Sequence, residues 1–468
     1  MRFYIITILL IQSVTLYSQS VKWYFPWENI KKELVEDNLE AIPLYLDGNA
    51  FRILKVIPPS GSTIKDIKLV SNNVSMDIYY LPLDKSGTFD VLLPFSANPA
   101  YSNETLFLVK FTGLEGGVSN VKISVNYSRS ERVINRKVAV VAEQSRRNLH
   151  SNVWAYLGYN YLVKDLNANV IHDLDNHKIN FMVIPGYALP NFDFNTDELK
   201  KIDNYLKSLG DRFDYYCIYL SGFQGKKSTI LSADWKRKFP KWYSEVQKIF
   251  LKHNISTNQI LLYPFDEPTG LNIIEASNFI KYLKKQKINS KTYITLHEAG
   301  SERLALEYDF VQVHIRKDDL LQKVLALGKA KEKLLIYETN VSSGNNNDPL
   351  KYLDLSLKSI KYNLGGYGMW NYADVKRSDL REFRNGKGSW EYTTSSKGDF
   401  YNSLIHRRNN NLYSSIRWEA FSAGQDEYFW FQRLIGKGKG SKKDLIVEGL
   451  LNRLIQYQEW EKMKLSLI

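Results

Sequence analysis

Two patterns of apolar residues in one 468-residue chain predict a multidomain α and β protein: an N-terminal antiparallel β-sandwich, a (β/α)8 TIM-type barrel, then C-terminal helices. Up to about residue 141 the apolar residues fall in short alternating runs between turn residues, as in strands with one face in a core. From about residue 153 the runs are continuous and separated by helical spacing, and eight of them occur. The expected division is 1–20 signal peptide, 21–145 sandwich, 150–435 barrel and 436–468 helical extension.

The first segment, MRFYIITILLIQSVTLYSQS, has one early Arg2, an apolar stretch from Phe3 to Val14 and small or polar residues at Ser18 to Ser20. That is the outline of a secretory signal, so the protein is expected to be exported, to the periplasm or the outside. The stretch is too short to span a bilayer and no later segment reaches about 18 apolar residues, so no integral membrane segment is expected after its removal.

The sandwich is read from LYLDGNAFRILKVI, VSMDIYYLPL, LFLVKFTG, VSNVKISVNY and VINRKVAVV. A polar stretch, EQSRRNLHS, from Glu143 to Ser151, then marks a boundary. Beyond it the eight barrel strands are expected at VWAYLGYN from Val153, FMVIPG from Phe181, YCIYLSG from Tyr216, ILLYPFDE from Ile260, TYITLHE from Thr292, FVQVHI from Phe310, LLIYET from Leu334 and GYGMWNY from Gly366. Between them, NTDELKKIDNYLKSLG predicts a helix opened by an Asn195 and Glu198 capping box and stopped at Gly210. FPKWYSEVQKIFLKHN predicts another with Pro240 in its first turn, and Leu353, Leu357, Ile360 and Leu364 line a third before Gly365 and Gly366. The tract GKGKGSKK, Gly436 to Lys443, reads as a solvated loop.

A barrel places its chemistry at the C-terminal ends of its strands. The fourth run ends there in Asp266 and Glu267, halted by Pro268. Neighbouring residues of a regular strand point to opposite faces, so both acids reach one pocket only if the pleat breaks before Pro268. Two close carboxylates raise one another's proton affinity, which divides them into one ionised group and one proton carrier. That division suits glycoside hydrolysis, with one acid protonating the leaving oxygen and another stabilising positive charge or attacking the sugar.

LLYPFDEP, GYGMWNY, the later GDF at Gly398 to Phe400, and SSIRWEAFSAGQDEYFWFQRL from Ser414 together resemble glycoside hydrolase family 123 and the related catalytic domains called domain of unknown function 4091. The string Ser415 to Ala420 is the most specific match, while Phe421 to Gly424 replace the Leu-Arg-Glu-Gly common in the family. The resemblance implies a β-N-acetylgalactosaminidase whose nucleophile is the substrate's own 2-acetamido group. Asp266 would orient and charge-stabilise that group, and Glu267 would act as general acid and then base. No cofactor is implied.

A second arrangement needs only the strand reading. Glu338 falls at the end of the seventh run, and glutamates after strands four and seven form the acid and nucleophile pair of many retaining barrel glycosidases. Glu267 would then remain the acid/base while Glu338 attacks the anomeric carbon, on a sugar lacking the acetamido group. A non-catalytic carbohydrate-binding barrel is the alternative from another class.

Substrate-binding candidates are Trp370 and Tyr372 after strand eight, Tyr337 as a donor to the acetamido oxygen, and His297 and Arg316 at the ends of strands five and six. Each of these residue types also serves as core or surface structure. Arg417, Trp418 and Glu419 are read as bracing the barrel. With 7 His scattered, one Cys at Cys217 and no HExxH, no metal site is expected, and Cys217 reads as a small buried hydrophobe. The net charge of +13, from 63 Lys and Arg against 50 Asp and Glu, is compatible with an anionic or sulfated glycan. Because the basic residues are scattered and no nucleic-acid module appears, nucleic acid is not an expected partner.

Overall fold

The computed structural model describes residues 20–27, 34–82, 90–95, 101–144, 149–155, 157, 162–163, 165–192, 195–220, 229–339, 348–375 and 401–468. Residues 1–19 of the segment read as a signal and the Gly398 to Phe400 motif lie outside them, while Ser20, the last residue of that segment, opens the first strand.

Among the described residues nine strands build the N-terminal sandwich: β1 (Ser20–Tyr24), β2 (Ala41–Tyr45), β3 (Asn49–Ile57), β4 (Ile64–Val70), β5 (Val74–Tyr80), β6 (Leu93–Pro94), β7 (Thr105–Gly113), β8 (Gly117–Tyr127) and β9 (Glu131–Val141). One sheet has the order β1-β3-β7-β5-β6 and the other β2-β9-β8-β4. Ile42, Leu54, Val109, Ile123, Val125 and Val138 fill the space between them. The pairing is antiparallel except between β2 and β9, which run parallel. These two strands are far apart in the chain, so no hairpin dictates their direction.

The eight barrel strands are β10 (His150–Val153), β11 (Phe181–Ile184), β12 (Tyr215–Tyr219), β13 (Ile260–Tyr263), β14 (Lys291–Leu296), β15 (Phe310–His314), β16 (Leu334–Glu338) and β17 (Gly366–Met369). They pair in chain order and close where β17 meets β10, with Met369 opposite Val153. Phe181, Val183, Cys217, Leu261, Tyr293, Phe310 and Leu335 pack the interior, so Cys217 is the buried small hydrophobe expected of it.

The first strand corrects the sequence reading. It lies in His150 to Val153, begins in the last two residues of the polar stretch taken for a boundary, and ends where the expected run began. Its two central polar side chains are satisfied inside the protein: Ser151 Oγ donates to the Lys178 carbonyl at 2.8 Å, and the Asn152 amide pairs with that of Gln312 in both directions at 3.1 Å. Buried polar groups matched this way leave no apolar signal in the sequence.

The helices are α1 (Asn167–Asn176), α2 (Thr196–Leu209), α3 (Ala233–Lys252), α4 (Leu271–Lys285), α5 (Leu304–Glu307), α6 (Asp318–Ala326), α7 (Leu350–Tyr362), α8 (Ile416–Leu434), α9 (Lys443–Leu451) and α10 (Tyr457–Leu465). Asn195 caps α2 by accepting from the Asp197 and Glu198 amides, but Glu198 turns to the Asn191 amide instead of closing a capping box. Pro240 is inside α3, not in its first turn, because the cap is Ser232. A proline there removes the N–H that would satisfy the Lys236 carbonyl. The Tyr282 hydroxyl replaces that donor at 2.8 Å, which is how the helix runs through. The basic tract after α8 forms tight turns broken at Gly438, which has φ 73°, and its last residue, Lys443, is buried against the Ile360 carbonyl and Asn363.

Helix α8 is buried nearly all round and locks the two sheet systems together. Arg417 donates from Nε and Nη2 to Asp90 at 2.7 and 2.8 Å. The Trp418 indole donates to Asp173 of α1 at 2.9 Å, and Glu419 meets His177 at 3.1 Å. Tyr45 of the sandwich stacks on Phe429 with centroids 3.8 Å apart and donates to Asp426 at 2.7 Å. The expectation that Arg417, Trp418 and Glu419 brace the barrel agrees with these contacts.

Candidate active site

The fourth strand ends at Tyr263, and Pro264 and Phe265 carry the chain past the barrel rim to Asp266 and Glu267. The break in the pleat lies at Glu267 itself, whose φ is +45°. A left-handed conformation at a non-glycine residue is uncommon and costs on the order of 1–3 kcal/mol unless its surroundings hold it. Here the Glu267 amide donates to Thr295 Oγ1 at 2.8 Å, from the end of neighbouring β14. The turn brings both adjacent carboxylates to one cavity of about 230 Å³, also lined by Asn152, Trp154, Thr295, Gln312, Tyr337, Thr339, Met369 and Trp370.

Hydroxyl groups hold the two acids. Asp266 Oδ1 accepts from Tyr263 at 2.5 Å and from Thr295 at 2.8 Å. Glu267 Oε1 accepts from the Tyr337 hydroxyl of β16. Among the described residues neither acid has an ion pair with Lys, Arg or His. Burial, followed by the hydrogen bond and charge of Glu267, pushes the Tyr337 phenol far above its ordinary value, so it remains a donor throughout the working pH range. Burial and the neighbouring Asp266 do the same for Tyr263.

The cavity floor is the Asn152 and Gln312 amide pair, onto which Tyr293 also donates. Gly368 lies beneath it, where a Cβ would sit 1.6 Å from Asn152 Oδ1, so only glycine permits this approach. Trp154 forms one wall, its ring edge-on to Tyr219 at 4.9 Å and Tyr263 at 5.8 Å, and Trp370 forms another. Flat faces beside polar floor groups are the usual lining of a sugar site.

Four of the residues expected at the site line this cavity: Asp266, Glu267, Tyr337 and Trp370. Glu338 is not among the lining residues. It follows Tyr337 on a regular strand, so with Tyr337 facing inward Glu338 faces the other way. There Arg316 donates to it at 3.0 Å and His314 lies 3.8 Å off. Arg316 is therefore occupied at the rim, with 60% of its side chain exposed. His297 stands edge-on to His314 at 5.0 Å, outside the lining. Burial lowers the pKa of His314, and the nearby His297 and Arg316 add to that while Glu338 opposes it. Tyr372 is fully buried behind the barrel, donating to Asp173 at 2.6 Å.

Asn152, Trp154, Tyr263, Thr295, Gln312, Thr339 and Met369 were not singled out by the sequence reading. A signal for some existed in strand alternation: Tyr293 and Thr295, two apart on β14, share the inward face. Among the described residues no cluster of His, Cys, Asp and Glu is arranged to hold a metal ion, and no helix is long and apolar enough to cross a membrane.

No known family profile matches the chain, and no curated protein matches it in sequence. Among solved structures, the chain superposes on a family 123 glycoside hydrolase from Clostridium perfringens, described in work on glycolipid glycan hydrolysis. The TM-score is 0.61 at 12% identity, over 92% of this chain and 91% of that one. The family resemblance of the motifs thus has a counterpart in the fold. A β-glucuronidase from Parabacteroides merdae overlaps 87% of this chain and 52% of its own at 10% identity, and an endo-1,4-β-mannanase from Rhizomucor miehei 49% and 88% at 12%. Their TM-scores of 0.36 and 0.35 add nothing to the reading.

Proposed function

We propose that the chain is a retaining glycoside hydrolase of the family 123 type, cleaving β-linked N-acetylgalactosamine-type sugars with help from the substrate's 2-acetamido group. The observation that carries this is the Asp266 and Glu267 pair: two adjacent acids in one cavity, each held by hydroxyls. In this scheme the acetamido oxygen attacks C1 while Glu267 gives its proton to the leaving glycosidic oxygen. Asp266 holds the acetamido N–H and balances the positive charge of the cyclised intermediate. Glu267, now ionised, takes a proton from the water that reopens the ring, and the anomeric configuration is retained.

Both hydroxyl networks support these roles. Tyr337 occupies Oε1 of Glu267 and leaves Oε2 without a protein partner among the described residues, and Oε2 is the oxygen to which the scheme assigns the transferred proton. Trp154 and Trp370 supply ring-stacking faces. The arrangement with Glu338 as an enzymic nucleophile is less well supported, because that carboxylate is tied to Arg316 outside the cavity lining. A purely carbohydrate-binding barrel would have no need of the strained Glu267 turn. Export is part of the proposal and rests on the N-terminal sequence, and the +13 charge is compatible with an anionic or sulfated glycan.

The test is hydrolysis of β-N-acetylgalactosaminides by Glu267→Gln and Asp266→Asn. Glu267→Gln should lower turnover of a substrate with a poor leaving group about 10²–10⁴-fold. Asp266→Asn should lower it about 10²–10³-fold. Wild-type turnover in both variants would remove the acid pair from the mechanism.

A further inference from the structure

Thr295 is buried, 4% exposed, at the end of β14, and its single hydroxyl touches both acids. A hydroxyl has one proton to give and lone pairs to accept. Thr295 Oγ1 accepts from the Glu267 amide at 2.8 Å and donates to Asp266 Oδ1 at 2.8 Å. The Tyr263 hydroxyl lies 2.8 Å from it and completes the triangle with its own 2.5 Å bond to Oδ1.

We propose that Thr295 is a positioning residue that couples the two acids, fixing the left-handed Glu267 backbone with its lone pair and orienting the Asp266 carboxylate with its proton. The inference rests on the glycosidase reading for its kinetic effect, though not for its geometry. Two donors on Oδ1 fix the rotation of the Asp266 carboxylate at the cavity wall, while no described residue meets Oδ2. The amide bond meanwhile holds the one backbone conformation that sends the Glu267 side chain to the same side. Removing the hydroxyl alone therefore disturbs both acids together, from a residue that need not touch the bond being broken.

The experiment compares wild type, Thr295→Val and Thr295→Ser in the full chain. It reads kcat and KM on an aryl β-N-acetylgalactosaminide, and the ¹³C chemical shift of the Asp266 carboxyl carbon at one fixed pH in protein carrying ¹³C-labelled aspartate. In Thr295→Val, kcat should fall about 10²-fold, as for a lost oriented donor, with KM within about 3-fold. The ¹³C chemical shift of the Asp266 carboxyl should move as well, since one of the two donors to Oδ1 has gone. Thr295→Ser should restore both. If the valine variant loses its fold, Thr295→Ala against Thr295→Ser carries the same comparison.

An unmoved Asp266 carboxyl ¹³C shift in Thr295→Val overturns the proposal whatever the activity. A serine variant as impaired as the valine one also overturns it, by placing the effect in the methyl group. A wild type silent on the sugar, with the Asp266 ¹³C shift still displaced in Thr295→Val, would remove the functional reading and leave the Thr295 assignment standing.

Discussion

Acids at the barrel mouth and acids behind the barrel are held in opposite ways. Around α8, Asp90 is bracketed by Arg417 and His406, at 2.7 Å each. Glu419 faces His177 and Lys110, and Glu427 and Glu461 share Lys464 at 2.8 and 2.5 Å. Burial opposes the charge on Asp90, yet Arg417 and His406 hold it well below the usual carboxylate range. At the mouth, Asp266 and Glu267 receive hydroxyls and a backbone turn, with no cation among the described residues. A buried carboxylate locked to a cation is committed to one charge state, because releasing either partner strands the other. One held by hydroxyls can gain and lose a proton, which acid and base work requires. Glu338, tied to the largely exposed Arg316 outside the cavity lining, resembles the acids behind the barrel in having a cation partner.

The contrast can be broken most forcefully behind the barrel. Arg417→Met leaves Asp90 buried without its main partner and should cost about 3–5 kcal/mol in denaturant unfolding while leaving the mouth intact. A stability loss under about 1 kcal/mol would show that the ion pair does not organise the interface.

His177 adds a pH dependence to the same region. Burial opposes its charge, but Asp173 and Glu419 outweigh that and raise its pKa to about 10. A folded pKa above the ordinary value near 6.5 means stability fully present below that value and lost as pH rises through about 10. His177→Gln should therefore be less stable than wild type by about 2 kcal/mol at pH 6. The thermal-melting gap between the two should narrow as pH climbs, and a gap independent of pH would mean that His177 is neutral in the fold.

At the mouth, Tyr337→Phe removes the donor from Glu267 and should reduce kcat about 10–100-fold with little change in melting temperature. A large stability loss without a kinetic one would move Tyr337 into the structural group. The smallest effect is expected at Glu338→Gln, where turnover should stay within about 5-fold of wild type, since the change removes one half-exposed ion pair. A loss comparable to that of Glu267→Gln would instead assign Glu338 to the chemistry.

The same contrast explains what the sequence could reveal. Continuous apolar runs disclosed seven barrel strands, whereas β10 stayed hidden because Ser151 and Asn152 are polar residues satisfied by partners far along the chain. Asp266 and Glu267 were legible because a strand, two acids and a proline adjoin in the sequence. Thr295, Tyr263 and Trp154 were not, since their roles arise from neighbouring strands that only the closed barrel brings together. Glu338 illustrates a rule available from the start: it adjoins Tyr337 on an unbroken strand, so the two could not share a face. Tyr372 misled because a strand-end aromatic has the same sequence signature whether it meets a sugar or, as here, Asp173.

The most direct test of the central claim sets an aryl β-N-acetylgalactosaminide beside the matching aryl β-galactoside, which lacks only the acetamido group, with the purified chain. Substrate assistance at Asp266 and Glu267 predicts turnover confined to the first. Comparable turnover of the galactoside would contradict it and place the nucleophile on the enzyme.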